Sequence, residues 1–81
     1  MPVPHYYFDI RDGNALSVDE EGLNLANRRA AEIEAALSLA DSAKDLPPSA
    51  NGRGLAIEVR DAEGLIFRAA FLVARSATSS R

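Results

Sequence analysis

The sequence predicts an α+β fold: a small antiparallel sheet of three to four strands in β-β-α-β-β order, with one amphipathic helix packed on one face. Segments of alternating polarity with a Gly turn stand on both sides of a segment with helical spacing. One helix on one sheet face is the economical architecture for 81 residues. We expect residues 1–75 to form this single domain and residues 76–81, which are small and polar, to be a disordered tail.

The first hairpin is predicted from residues 6–11, which are aromatic and β-branched and alternate in polarity. Asp12-Gly13 is a strong turn signal, and residues 15–18 return as a short, weak strand. One face of the first strand is apolar, and the other would carry His5, Tyr7, Asp9 and Arg11.

The helix is predicted over residues 25–43, with Asn24 as its N-cap and Pro47-Pro48 preventing its continuation. Apolar residues recur there at three- and four-residue spacing, which places them on one stripe. We expect this stripe to face the sheet; its members are Ala26, Ala30, Ile33, Leu37 and Ala40, widened by Ala36.

The second hairpin is predicted from residues 55–60 and 65–73, with a turn at residues 60–64 in which Gly64 suits a left-handed or bulged position. The opposite face of the sheet is left uncovered. The sheet would contribute to the core Tyr6, Phe8, Ile10, Leu55, Ile57, Val59, Leu65 and Phe67.

Composition excludes several classes of function. The formal net charge is −3, with 12 acidic and 9 basic residues, so a nucleic-acid partner is not expected. Cysteine is absent, which removes disulfides, thiolate nucleophiles and Cys-ligated zinc. The N-terminus does not read as a signal peptide and no apolar run approaches the length of a membrane span, so we expect a cytoplasmic protein with no membrane partner.

Groups for catalysis are few. His5 is the one histidine, and Asp9 lies four residues along the same strand, roughly 13 Å away, too far for a hydrogen bond. Gly52-Arg53-Gly54 is too short to cradle a phosphate. We therefore expect no enzyme activity, no catalytic residues and no cofactor.

The acidic residues Asp19, Glu20 and Glu21 allow two interpretations. A calcium loop starting at Asp9 would place Arg11 among the ligands, which opposes cation binding. The favoured interpretation is an acidic approach to the helix N-terminus, where carboxylates stabilise the helix dipole. The alternative is a ligand- or metal-binding domain that uses loop 19–22, and no metal is assigned to it.

The uncovered sheet face is the preferred candidate for an interaction surface, formed by Tyr7, Asp9, Arg11, Glu58 and Arg60. It could equally be a solvated face with cross-strand Arg–carboxylate pairs. Small sheets have exposed edges, and two-fold dimers commonly cover them. We expect a protein-interaction or regulatory module that acts as a homodimer, with itself or an unidentified protein as partner.

The aromatic run at residues 6–8, the Arg-Asp-Gly at residues 11–13, the Asp-x-x-Gly at residues 19–22 and the Ala-rich helix together resemble a known family. It is domain of unknown function family 6894, whose members are short bacterial proteins. The resemblance covers roughly residues 4–71 and implies the same fold in a bacterial cytoplasm. The order of elements is also loosely similar to HicB-type antitoxin domains, although no separate DNA-binding segment is present.

Overall fold

A computed structural model describes residues 3–46 and 54–72. They form five strands and one helix. In chain order these are β1 (His5–Asp12), β2 (Ala15–Ser17), β3 (Leu23–Asn24), α1 (Arg28–Lys44), β4 (Gly54–Asp61) and β5 (Gly64–Leu72). The predicted tail at residues 76–81 and most of the Pro-containing connector lie outside the described residues.

The strands form one antiparallel sheet in the order β2-β1-β4-β5, and β3 pairs with the beginning of β1. Helix α1 packs against β4 and β5. The predicted α+β class with one helix on one face is therefore confirmed. The two-residue strand β3 was not predicted, because two residues carry no visible alternation of polarity.

Both hairpin turns lie where the glycines predicted them. Asp12 pairs with Ala15 around a two-residue turn, in which Gly13 has a φ of 61°. Asp61 pairs with Gly64, whose φ is 125°. A positive φ is open to glycine because it has no Cβ to clash with the backbone.

A β-bulge in the second hairpin corrects one core prediction. Val59 lies opposite Phe67, but its neighbour Arg60 lies opposite Leu65, which leaves Ile66 as an extra residue in β5. An extra residue reverses the faces on which the following side chains lie. Leu65 was therefore wrongly assigned to the core; it is 62% exposed.

The helix begins later than predicted. Its N-cap is Asn27, whose side-chain oxygen accepts a hydrogen bond from the backbone N–H of Ala30 at 2.9 Å. The predicted cap, Asn24, belongs to β3 and its side chain contacts His5. Pairing of this segment with β1 holds it in an extended conformation and delays the first helical turn by three residues.

The helix also presents a different face to the sheet. Its buried residues are Ala31, Ala35 and Leu39, whereas Ile33 and Leu37 of the predicted stripe are 47% and 63% exposed. The alanines, at most 1% exposed, let the helix backbone come close to β4 and β5. The helix thus carries two apolar stripes, and only one of them is covered within the described part of the chain.

The core lies between α1 and the central strands. The predicted sheet residues Tyr6, Leu55, Ile57 and Val59 are buried. Partly buried residues pack against them, among them Phe8, Ile10 and Phe67. Among residues 3–46 and 54–72, no helix is long and apolar enough to cross a membrane.

Candidate functional site

The sheet face opposite α1, called the open face below, carries the five residues predicted as an interaction surface. The β1–β4 register places Tyr7 opposite Arg60 and Asp9 opposite Glu58, and Arg11 is two residues further along the same side of β1. Side chains that are directly opposite in an antiparallel pair lie on the same face. The structure therefore brings the five side chains together, although with unequal exposure.

Asp9 and Arg60 form the centre of the open face. The Arg60 Nε donates to Asp9 Oδ2 at 2.7 Å, and its Nη2 donates to Asp9 Oδ1 at 3.3 Å. The same Nη2 also donates to the backbone carbonyl of Asp19 at 3.0 Å. Asp9 is only 8% exposed, contrary to the expectation that it lies on a solvated surface. Its carboxylate is already occupied by a two-pronged ion pair, the geometry in which Arg binds carboxylates most firmly.

Asp19 connects this ion pair to the edge of β1. Its Oδ2 accepts from the Phe8 N–H at 3.0 Å, and its Oδ1 accepts from Glu21 at 3.1 Å and Gly22 at 3.0 Å. The Asp19 N–H donates to Asp9 Oδ1 at 2.9 Å. Strands β2 and β3 pair with the two ends of β1, and Asp19 lies between them. Its carboxylate therefore supplies the acceptor that a neighbouring strand would otherwise give to Phe8.

The pKa values of both carboxyls are lowered. For Asp9, burial alone would raise the pKa, but the Arg60 hydrogen bond and the Asp19 N–H together lower it. For Asp19, the Gly22 N–H is the largest cause of the lowered pKa, opposed by burial and supported by the Phe8 and Glu21 N–H groups. Both groups are therefore held as carboxylates, in which both oxygens are free to accept hydrogen bonds.

His5 binds the end of the acidic loop 19–22 that leads into β3. Its Nδ1 contacts the Asn24 side-chain oxygen, and its Nε2 lies 2.7 Å from the Glu21 carbonyl oxygen. Because both neighbours are acceptors, the doubly protonated imidazolium satisfies both contacts. The Asn24 contact is the largest cause of a raised pKa for His5. Sequence reasoning missed this role, since His5 and Asn24 are 19 residues apart.

Gly22 allows this arrangement. Its φ is +71°, and a Cβ placed there would lie 2.5 Å from His5 Nε2 and 2.7 Å from the Tyr6 carbonyl oxygen. The Asp-x-x-Gly pattern thus combines a carboxylate that binds backbone N–H groups with a glycine against which a histidine ring packs.

The remaining polar side chains of the open face form looser contacts. Arg11 and Arg68 both approach Glu58 Oε2, at 3.4 and 3.5 Å. The Arg60 guanidinium lies 4.6 Å from the centre of the Tyr7 ring, a cation–π distance. Exposed pairs of this kind contribute little to stability, typically under about 1 kcal/mol.

The acidic residues Asp19, Glu20 and Glu21 do not converge. The Asp19 carboxylate turns inward to backbone N–H groups, whereas Glu20 and Glu21 are exposed. In the described ranges 3–46 and 54–72, no group of three His, Cys, Asp or Glu side chains could hold a metal ion. The geometry of loop 19–22 therefore gives no support to the alternative of a ligand or metal site.

A second surface lies on the helix side of the sheet and is called the apolar flank below. It combines the outward stripe of α1 with the end of β5, and a groove of about 470 Å³ runs between them. Its apolar members are Ile33, Ala36, Leu37, Ala40, Ala69 and Phe71. Phe71 is 43% exposed. The spacing of Ile33, Leu37 and Ala40 signalled this stripe in the sequence, but it was interpreted as core.

Comparison with known proteins places this fold in a family. A family model described as a domain of unknown function, DUF6894, matches residues 5–72. No curated protein and no solved structure shows a significant match to the chain. The looser resemblance to HicB-type antitoxin domains finds no support in these comparisons. The match spans all five strands and the helix, from the first residue of β1 to the last of β5, and the chain therefore belongs to the DUF6894 family.

Proposed function

We propose that this protein is a non-catalytic protein-interaction module that acts as a homodimer through the apolar flank. The observation that carries the proposal is the second apolar stripe of α1, in which Ile33 and Leu37 are exposed and line a groove with Phe67. Contiguous exposed apolar surface of this kind typically marks an interaction site. A cytoplasmic bacterial setting without nucleic acid or membrane partners, as the composition and the family resemblance imply, completes the proposal.

The open face is a weaker candidate for the interaction surface than the apolar flank. Its most buried carboxylate, Asp9, is saturated by Arg60 and a backbone N–H, so it offers few groups for a partner to bind. The flank combines apolar side chains with the backbone of an edge strand, and both are stabilised when another polypeptide covers them. We therefore place the interaction surface on the helix side of the sheet, and not on the face that the sequence favoured.

Analytical ultracentrifugation and light scattering test the proposal. We expect a mass of twice 8.7 kDa at about 100 μM for the wild-type chain. Leu37→Glu should give a folded monomer, because it introduces a charge at the centre of the apolar flank. The matched control is Leu16→Glu, whose site is also exposed, at 46%, but lies in β2 and away from α1. A wild-type monomer, or equal effects of both variants, would contradict the proposal.

A further inference from the structure

The outer edge of β5 determines how a second copy can bind. In the described sheet order β2-β1-β4-β5, β5 is the last strand, and all of its residues except the bulge residue Ile66 pair on one side with β4. Edge strands in native proteins are commonly protected by charges, proline or shortness. Beyond the bulge, residues 66–72 of β5 contain one charged residue, Arg68, and no proline.

A two-fold dimer restricts the possible registers of this edge. Two copies of β5 that pair antiparallel are related by an axis perpendicular to the sheet, so the α1 helices lie on the same side of the joined sheet. Directly opposite residues must then share a face. Since side chains alternate between the two faces along a strand, odd-numbered residues pair with odd-numbered ones and even-numbered with even-numbered. One residue of β5 therefore lies on the two-fold axis, opposite the same residue of the second copy.

The charge and size of the side chains decide which residue of β5 lies on the two-fold axis. An axis at Arg68 would place two guanidinium groups directly opposite each other, which is destabilising. An axis at Ala70 would place Arg68 opposite Leu72 and Ala69 opposite Phe71, with no aromatic pair. An axis at Ala69 pairs residues 67–71, with Phe67 opposite Phe71 of the second copy and Arg68 opposite Ala70, and leaves out Ile66, whose carbonyl already accepts from the Arg28 guanidinium. Aromatic cross-strand pairs are among the favourable ones.

From these constraints we infer that the partner of the apolar flank is a second copy of this chain, paired through β5 with the two-fold axis at Ala69. This inference rests on the proposed function and specifies its geometry. It produces one continuous sheet of two copies, with Phe67 and Phe71 forming two symmetric aromatic pairs beneath the helices. Ala36 and Ala40 on the outward stripe are small enough to let the two helices approach each other.

The area available is adequate for such a dimer. Ile33, Leu37 and Phe71 of the apolar flank expose between 43% and 63% of their surface, and Leu72, at the end of β5 on the open face, exposes 66%. Covering these side chains in two copies buries several hundred Å² of apolar surface, and the paired strand backbones bring the total towards the ~1,200 Å² at which specific interfaces begin.

Disulfide trapping tests the register directly, because the chain contains no cysteine. In the inferred dimer the Cα atoms of two Ala69 residues are about 4.5–5.5 Å apart, as for any directly opposite antiparallel pair. That distance lies within the range that a disulfide spans. Two Ala70 residues are diagonal neighbours, about 7–8 Å apart, at or beyond that range. Ala69→Cys should therefore cross-link under mild oxidation, whereas Ala70→Cys should not.

The outcomes distinguish the register from the proposed function. Circular dichroism should show that both cysteine variants fold, and light scattering should give their mass under reducing conditions. Fast cross-linking of Ala69→Cys with little or none of Ala70→Cys supports the inference. Dimers in which Ala70→Cys cross-links faster, or in which neither variant cross-links, overturn the register but not the dimer. Monomers under reducing conditions, with wild-type chain also monomeric, overturn the proposed function itself.

Discussion

Replacing Asp19 by alanine tests the interpretation that this carboxylate substitutes for a missing strand neighbour. The variant removes the acceptor of the Phe8, Glu21 and Gly22 N–H groups. The bonds from Phe8 and Gly22 are partly buried, and a lost hydrogen bond of that kind costs about 1–1.5 kcal/mol. The third bond is exposed and contributes little. We therefore expect the free energy of unfolding to fall by about 2–3 kcal/mol, a large share of the ~4–12 kcal/mol typical of a chain this size.

Urea unfolding followed by circular dichroism measures this loss, and Tm should fall by roughly 10–20 °C. Asp19→Asn is the intermediate case, because its remaining oxygen can keep the Glu21 and Gly22 bonds while its amide cannot accept from Phe8. It should cost about 1 kcal/mol. Glu20→Ala is the matched control at an exposed neighbour and should stay within about 0.5 kcal/mol of wild type. A stability of Asp19→Ala equal to that control would refute the reasoning.

Three further predictions concern the same corner of the fold. Gly22→Ala should lower the free energy of unfolding by more than about 2 kcal/mol in urea, because it adds a left-handed backbone penalty to a collision with His5. Gly54→Ala is the control and should be tolerated, because a Cβ there meets nothing within 4 Å. Similar losses for the two variants would contradict the prediction. The lowered pKa values of Asp9 and Asp19 mean that their contribution to stability is present above pH 4 and declines as the pH falls through the pKa values of the folded state. Urea midpoints that do not change between pH 5 and pH 2.5 would rule this out. The raised pKa of His5 has the opposite effect: its contribution to stability is complete below pH 6.5 and is lost as the pH rises through the pKa of the folded state. NMR titration of this single histidine should give a midpoint above 6.5. A midpoint at or below that value would show that the ring does not donate to both oxygens.

The two surfaces of the protein should respond separately to substitution. The open face owes its order to the Asp9–Arg60–Asp19 network, whereas the apolar flank depends on Leu37 and Phe71 on the other side of the sheet. Changes at distant sites that share no partners are usually additive. Asp19→Ala should therefore lower stability without preventing dimerisation, and Leu37→Glu should prevent dimerisation with little effect on the stability of the monomer.

The prediction of the helix illustrates where sequence reasoning was sufficient and where it failed. The apolar spacing and the proline pair located α1 to within three residues at its beginning and one at its end. The same spacing is compatible with two stripes, since Ala31, Ala35 and Leu39 recur as regularly as Ile33, Leu37 and Ala40. Only contact with β4 and β5 distinguishes the stripe that packs inward from the one that remains exposed.

The acidic loop 19–22 is likewise explained partly by the sequence and partly by the tertiary structure. The sequence predicted residues 19–22 as an acidic approach to the helix, and the position of Arg11 argued against a calcium loop. It could not show that Asp19 accepts from Phe8, because a contact between residues 11 positions apart depends on how β2 and β3 run along β1. Arg60 reaches Asp9 across 51 residues of chain, and no local pattern encodes that distance.

The sequence by itself determined the class of fold, the two hairpin turns and most of the contribution of the sheet to the core, because alternation and glycine turns act over a few neighbouring residues. The tertiary structure decided which face of the helix is buried, which carboxylates are structural and, through one bulge, on which side Leu65 lies. Those outcomes depend on pairs of residues brought together from distant parts of the chain, where the free energy of packing and of satisfying buried polar groups outweighs local preference.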